Sequence, residues 1–598
     1  MTGTLRLSGD LSFNYNSNTN APVVVSDWAI ANRNATQYSP QKGSVLNSDG
    51  YASRYNIDYF ISGQHNFSKS FSVNYTLGGT TRENLTKNVA VGGNNLVVPY
   101  LYNVAVRSGD ANVPIYQGAT ANTIFGNNYS IESRLVSAYG SVTMGFNDWI
   151  FLDLTGRNDW DSRLLPQNRS FFYPSANVSL VLSDALESLK NSHYISFLKV
   201  RAAYSKSGNV NLAPYSLNST YSQNQGFPYG SVAGFTADDV IPNQNLKPEF
   251  VNTTEAGIEI GLLNNRINLE GSYFYSKSTN QILQVSQSFA TGYPVGLANA
   301  ADFDNYGVEM DMRLTPLVNI GKGRIDLRMV ATYNDNKVTS TQGNIPVVIG
   351  GTSGFIQNAA GAPTVNMLAT VGAPAFQFQM TDYERDPASG KVIIDPVTGY
   401  PSVAQAMVVK GRALPLWIIG ITPSYSVGDF SVNMTFEYKA GYNFYSGLGP
   451  DADFAGISSR TAEYGRQRFV FPNSVYLQDG KYVDNTNIMV QDGNYGFWTG
   501  ASTNTGVATN YFASAAAWRL RELNISYNLP TKWLGNGNVF KRLVVSFVGK
   551  NLFLWTPASN QWGDPEFNYS TTGNTFGLAS GFQTPASRVF GGSLTIGF

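Results

Sequence analysis

The sequence predicts an all-β chain: a large antiparallel transmembrane β-barrel of about sixteen strands, with long loops at one end and short turns at the other. Three observations predict it. Apolar and polar residues alternate along most of the chain, while helical periodicity is nearly absent. Many alternating runs reach about a dozen residues, whereas globular strands average about 5–6 and a tilted membrane strand needs about 9–11. Connections alternate between tight turns and long polar segments.

The elements follow in chain order. In "RYNIDYFISGQ" the apolar face is Tyr55, Ile57, Tyr59 and Ile61, and in "SFSVNYTLGG" it is Phe71, Val73, Tyr75 and Leu77. "RINLEGSYFYSKST" aligns Ile267, Leu269, Gly271, Tyr273 and Tyr275. "GRIDLRMVATYNDN" sets Ile325, Leu327, Met329, Ala331 and Tyr333 against Asp326, Arg328, Thr332 and Asn334. The cleanest run is "DFSVNMTFEYKAGYN", with Phe430, Val432, Met434, Phe436 and Tyr438 opposite Ser431, Asn433, Thr435, Glu437 and Lys439. The chain stops on "VFGGSLTIGF", whose Phe590, Gly592, Leu594, Ile596 and Phe598 form the lipid face of a closing strand, since hydrocarbon tolerates no unpaired strand edge. Tight connections fall at 67–70, 146–148, 262–266, 317–323 and 426–429. Long loops are expected at 81–133, 209–250, 280–300, 339–413, 443–514 and 556–588. An even strand number then puts both termini on the short-turn side. A soluble antiparallel sheet with one wet face would alternate too; strand length, loop asymmetry and the scarcity of charge on the apolar faces weigh against it.

Composition narrows the function class. The 598 residues carry 40 basic and 40 acidic side chains, so no electrostatic footprint for nucleic acid exists. Charged residues make up 13%, against about a quarter in ordinary globular chains, and 35 Tyr and 35 Phe raise the aromatics to 13%. With no cysteine, disulfides, thiolate metal sites and Cys nucleophiles are excluded. No stretch approaches the roughly 20 apolar residues of a membrane helix. The opening "MTGTLRLSGD" lacks the basic and apolar regions of a signal peptide.

Several stretches in matching order resemble the SusC/RagA family of TonB-dependent outer-membrane transporters. "LTGRNDWDSRLLPQNRSFFYPSANVSLVLSD" (154–184) is similar to the family's R-x-D-x-S-R-F and F-P-S pattern, with Leu164 in place of the usual Phe. "FLKVRAAYSKSGN" (197–209), "LKPEFVNTTEAGIEIGLLNNRINLEGSYFYSKSTNQIL" (246–283) and "NYGVEMDM" (305–312) follow. "WRLRELNISYNLP" (518–530) and "VGKNLFLWTPASNQWGDPEFN" (548–568) complete the set. Members of that family carry a signal peptide, a TonB box and a plug ahead of a barrel of about 22 strands. The resemblance therefore implies that residues 1–598 are the C-terminal barrel portion, without a plug domain, or else half of a split transporter. It further implies TonB-energised uptake of oligosaccharides or peptides across the bacterial outer membrane, with a SusD-like surface lipoprotein and the TonB complex as partners. A passive porin-like or adhesive barrel is the alternative, and a barrel enzyme a third reading.

For an enzyme the inventory is poor. His65 and His193 are the two histidines, and they sit near separate turns, so a shared metal or acid–base role is not expected. Asp159 and Asp161 in "DWDSR", and Asp451 and Asp453 in "DADF", carry oxygen ligands but match no complete calcium loop, and read as polar loop chemistry. "DPASGKVIIDPVTGYP" (386–401) reads as a loop hairpin. No Gly-rich phosphate loop opens a helix, so no cofactor is expected. Ligand contacts are expected on loop aromatics beside hydrogen-bonding groups: Asp492, Asn494, Tyr495, Phe497 and Trp498 in "MVQDGNYGFWTG", and Tyr221, Phe227 and Tyr229 in "YSQNQGFPYGS". Loop packing is the competing role for those rings. Arg460, Arg466 and Arg468 in "SSRTAEYGRQRF" are candidates for an acidic patch on a partner, with solvated loop charge as the alternative.

Overall fold

The computed structural model describes residues 2–20, 44–93, 98, 100–103, 124–125, 128–190, 192–225, 233–351, 365–534, 541–566, 576–579, 581 and 586–597. Sixteen long strands build the wall. They are β1 (Thr2–Asn20), β2 (Ser44–Ser68), β3 (Phe71–Gly93), β4 (Tyr129–Phe146), β5 (Ile150–Asp161) and β6 (Ser170–Val181). β7 (Ile195–Asn209), β8 (Glu249–Leu262), β9 (Ile267–Ser286), β10 (Val295–Ile320) and β11 (Gly323–Thr341) follow. β12 (Trp417–Val427), β13 (Phe430–Ala440), β14 (Ala517–Asn528), β15 (Arg542–Trp555) and β16 (Val589–Gly597) complete it.

Each long strand pairs antiparallel with its sequence neighbour, which makes one continuous meander. Among the described residues no ladder joins β1 to β16. Phe598, the expected closing aromatic, lies outside the described residues. Thr2 opposes Ser62 and Gly597 opposes Arg542, so both ends of the meander lie toward the short-turn side, as expected.

Short turns are made where the backbone can reverse within two to four residues. Gly321 (φ 58°) and Gly428 (φ 56°) open two-residue turns in the left-handed region, which glycine enters without a Cβ clash. The tight connection expected at 317–323 shrinks to Gly321–Lys322, because β10 runs on through a bulge after Leu314.

The long loops also need correction. β3 extends to Gly93, β4 starts at Tyr129, and β9 and β10 extend to Ser286 and from Val295, so 81–93, 129–133, 280–286 and 295–300 are strand. Polarity misled the reading there. Above the hydrocarbon a ladder still satisfies backbone groups, while its side chains are free to be polar on both faces.

The wall is apolar outside. Tyr55, Ile57, Tyr59 and Ile61 are 37–52% exposed along one face of β2, and Tyr273, Val308, Met310 and Phe547 continue such a face elsewhere. So broad an apolar surface would aggregate in water, whereas hydrocarbon requires it. The opposite face carries the charge: Arg201 donates to Glu255, Glu259 and Glu270, and Asp311 pairs with Arg313 and Arg328. Tightly buried side chains concentrate in the loops at the long-loop end, not in the wall.

Candidate functional site

The described parts of three connections, 342–416, 441–516 and 556–588, fold together above the wall. Val347–Gly351, Val365–Ala369, Gln377–Met380 and Val408–Lys410 form a four-stranded sheet. Asn443–Ser446 pairs with Phe512–Ser514 of its own connection and with Leu578–Ala579, which ties the second connection to the third. Their common core is Val365, Met367, Phe378, Met380, Tyr445, Ala508 and Tyr511, all fully buried. Phe378 meets Phe512 edge to face at 5.2 Å.

Two buried carboxylates organise this body. Asp382 accepts from Arg385 at 3.2 Å, Lys410 Nζ at 3.0 Å, the Thr509 hydroxyl at 2.6 Å and the Tyr383 amide at 2.9 Å. Burial pushes its carboxyl up, but the hydrogen bonds from Arg385, Thr509 and Lys410 outweigh that and hold it below the usual carboxylate range. Asp453 is completely buried and accepts from Arg460 Nη1 at 3.3 Å, Asn504 Nδ2 at 2.9 Å and the Tyr511 hydroxyl at 3.0 Å. The Arg460 guanidinium in turn lies 5.8, 5.6 and 5.3 Å from the ring centres of Trp498, Tyr511 and Trp562. One cation thus neutralises a buried anion and gathers three aromatic rings.

A charged latch fastens the last loop to the wall. Arg519 grips Asp564 with both terminal nitrogens, one at 2.6 Å, and Arg521 bridges Glu437 and Glu566. Lys439 closes the network on Glu566. The stretches "WRLRELNISYNLP" and "GDPEF" both stood out in the sequence, but nothing there shows that they meet. Opposite charge at the two places is the one signal that pointed to it.

The structure separates the expected site residues by role. Phe497 and Trp498 are buried, packed with Phe469 and Val490, and the Trp498 ring nitrogen donates to the Gly493 carbonyl at 3.1 Å. Asp492 accepts from the amides of Asn494 at 2.8 Å and Gly496 at 2.7 Å, and these two bonds hold its carboxyl low. Asn494 and Tyr495 face solvent, Tyr495 being 72% exposed. Tyr221 is exposed on a hairpin of Tyr221–Gln225 with Ala233–Ala237, while Phe227 and Tyr229 lie outside the described residues. Arg460 is engaged as described, Arg466 donates to the Gly456 carbonyl and Arg468 to that of Val490, both at 2.9 Å. Asp159 accepts from Arg157 and the Tyr173 hydroxyl, and Asp161 from Arg163. Asp451 is pushed up by burial. His65 packs on Phe67 and His193 on Tyr194.

An antiparallel meander that is apolar outside, charged inside and crowned by folded loops defines an outer-membrane β-barrel protein. The model of the TonB dependent receptor-like β-barrel family matches residues 2–432, and the chain belongs to that family. It is similar to TonB-dependent receptor P26 of Formosa agariphila, 23% identical over 468 residues, which covers 71% of this chain and 42% of that one. TonB-dependent receptor SusC of Bacteroides thetaiotaomicron is 26% identical over 223 residues, covering 36% of this chain and 22% of its own. The fold is shared with the RagAB peptide transporter at a TM-score of 0.71 and 15% identity, covering 99% of this chain and 59% of that chain. The chain therefore spans less than half the length of these curated relatives. Together these likenesses bear out the SusC/RagA resemblance and the outer-membrane location, in a family of transporters and receptors rather than enzymes.

Proposed function

We propose that this chain supplies the wall and outer loops of a TonB-energised importer that takes up oligosaccharides or peptides, with a SusD-like lipoprotein closing over its mouth. The observation that carries the reading is the loop body: three connections spend many residues on a packed, latched structure at the long-loop end, where a passive pore needs an open mouth. The similar proteins support it, one being SusC and one a peptide transporter. In this reading the TonB complex engages a segment outside residues 1–598, and exposed loop residues such as Asn494, Tyr495 and Tyr221 are available to substrate or lipoprotein.

Uptake of labelled oligosaccharides and peptides, compared in cells with and without the gene and with and without TonB, tests the proposal. Uptake that needs both supports it. Uptake that persists without TonB would replace it with the passive porin-like reading.

A further inference from the structure

We propose that the outer rim carries a binding subsite for a neutral sugar ring, in a cavity of about 580 Å³ where residues 211–220 fold over the ends of β4, β9 and β10. The inference deepens the importer reading and rests on it for the direction in which such a ligand would travel. The volume falls within the roughly 300–1,000 Å³ of small-molecule sites.

The segment that roofs the cavity is anchored. Leu212, Leu217 and Ile282 are buried together with Leu164, Phe171 and Leu246. Arg163 donates to the Leu212 carbonyl at 3.4 Å. On this base Tyr215 stands 52% exposed, with a left-handed backbone (φ 67°) that a bulky residue adopts only where its surroundings enforce it. Its hydroxyl accepts the Glu132 amide at 3.3 Å, and its carbonyl accepts the Asn218 amide at 3.0 Å. The ring is therefore held in place before any ligand arrives, which lowers the ordering cost of binding.

The chemistry of the lining selects the ligand. Tyr215 gives an aromatic face, and Asn211, Asn218 and Gln284 give side-chain amides that both donate and accept. Asp238, held by the Thr220 hydroxyl, gives a carboxylate acceptor. A pyranose presents the matching surfaces: a C–H face that packs on an aromatic ring, and a rim of hydroxyls that donate and accept. Among the described lining residues none is Lys or Arg, so a sulfate or uronate would bring its negative charge up to the Asp238 carboxylate. A peptide is commonly read through its backbone at a sheet edge, whereas the polar groups here are mainly side chains around a pocket.

Hydrogen–deuterium exchange on the detergent-solubilised protein tests this, with neutral hexose oligosaccharides, uronate oligosaccharides and hexapeptides as separate probes. The neutral oligosaccharides should slow exchange in 211–220 and 282–284, and Tyr215→Ala should weaken their binding about tenfold, the worth of one aromatic contact. Tyr215→Phe keeps the ring and should retain binding, which separates loss of contact from loss of fold. Protection by peptides or uronates alone, protection elsewhere only, or no protection from any probe would each overturn the subsite. TonB-dependent uptake without protection here sinks the subsite alone. Protection here with TonB-independent uptake sinks the importer reading alone.

Discussion

At the residue scale, Arg460 and Glu566 illustrate how charge is used in the loops. Arg460 is the cation facing a completely buried Asp453, so Arg460→Ala strands that carboxylate and should loosen the loop body by about 3–5 kcal/mol. The expected result is faster proteolysis within 448–516 while the wall strands stay protected; an unchanged cleavage rate would refute the role. Glu566 lies at about 2 instead of its ordinary 4.5. Burial pushes it up, but hydrogen bonds from Arg521 and Lys439 more than reverse this. A carboxyl lowered in the folded state stabilises that state above its unfolded value and ceases to do so as pH falls through its folded one. The latch should therefore hold above pH 4.5 and release between there and about 2. Fluorescence of Trp562, followed against pH, should show that transition in the native protein and lose it in Glu566→Gln.

At the scale of the element, the two faces of one strand make opposite demands. Phe436 sits mid-strand on the lipid face of β13 and Thr435 on the inner face. An arginine at 436 should cost about 2–4 kcal/mol near the midplane, while one at 435 should cost little. Folding titrations into lipid vesicles measure the difference, and equal costs would mean that the faces are misassigned. The glycine of "NYGVEMDM" has a specific reason. Gly307 lies between Phe274 and Asn334 in the ladders, and a Cβ there would fall 2.7 Å from the Phe274 ring and overlap the Tyr333 carbonyl. Gly307→Ala should therefore destabilise β9–β11, seen as a lowered melting temperature, whereas Gly271→Ala, whose Cβ has only a distant neighbour, should not.

For the whole molecule, the open question is closure. β1 and β16 each pair on one side among the described residues, and most side chains of both strands are exposed. Each unsatisfied backbone group in hydrocarbon costs several kcal/mol. Residues 1–598 refolded alone in detergent should thus give no heat-modifiable band on electrophoresis. A sharp band would show that β1 and β16 do meet.

The wall was legible in the sequence because its rule is local. Alternation at Phe430–Tyr438 assigns each side chain to lipid or interior with no knowledge of its partner, since the strand period is two and lipid punishes any error. The resemblance in "WRLRELNISYNLP" and its companion stretches carried the family. The ends of the strands were not legible, because polar residues at 81–93 and 280–286 look alike whether they ladder or loop. Nor were the loops: Asp382 meets Thr509, and Tyr383 donates to the Thr503 carbonyl, across more than a hundred residues of chain. Phe497 and Trp498 read either as ligand contacts or as loop packing, and the fold buries them, while Tyr215 drew no notice until the fold set it over a cavity. Which aromatic faces inward and which faces solvent in an irregular loop is set by distant contacts alone, so only the tertiary structure could decide it.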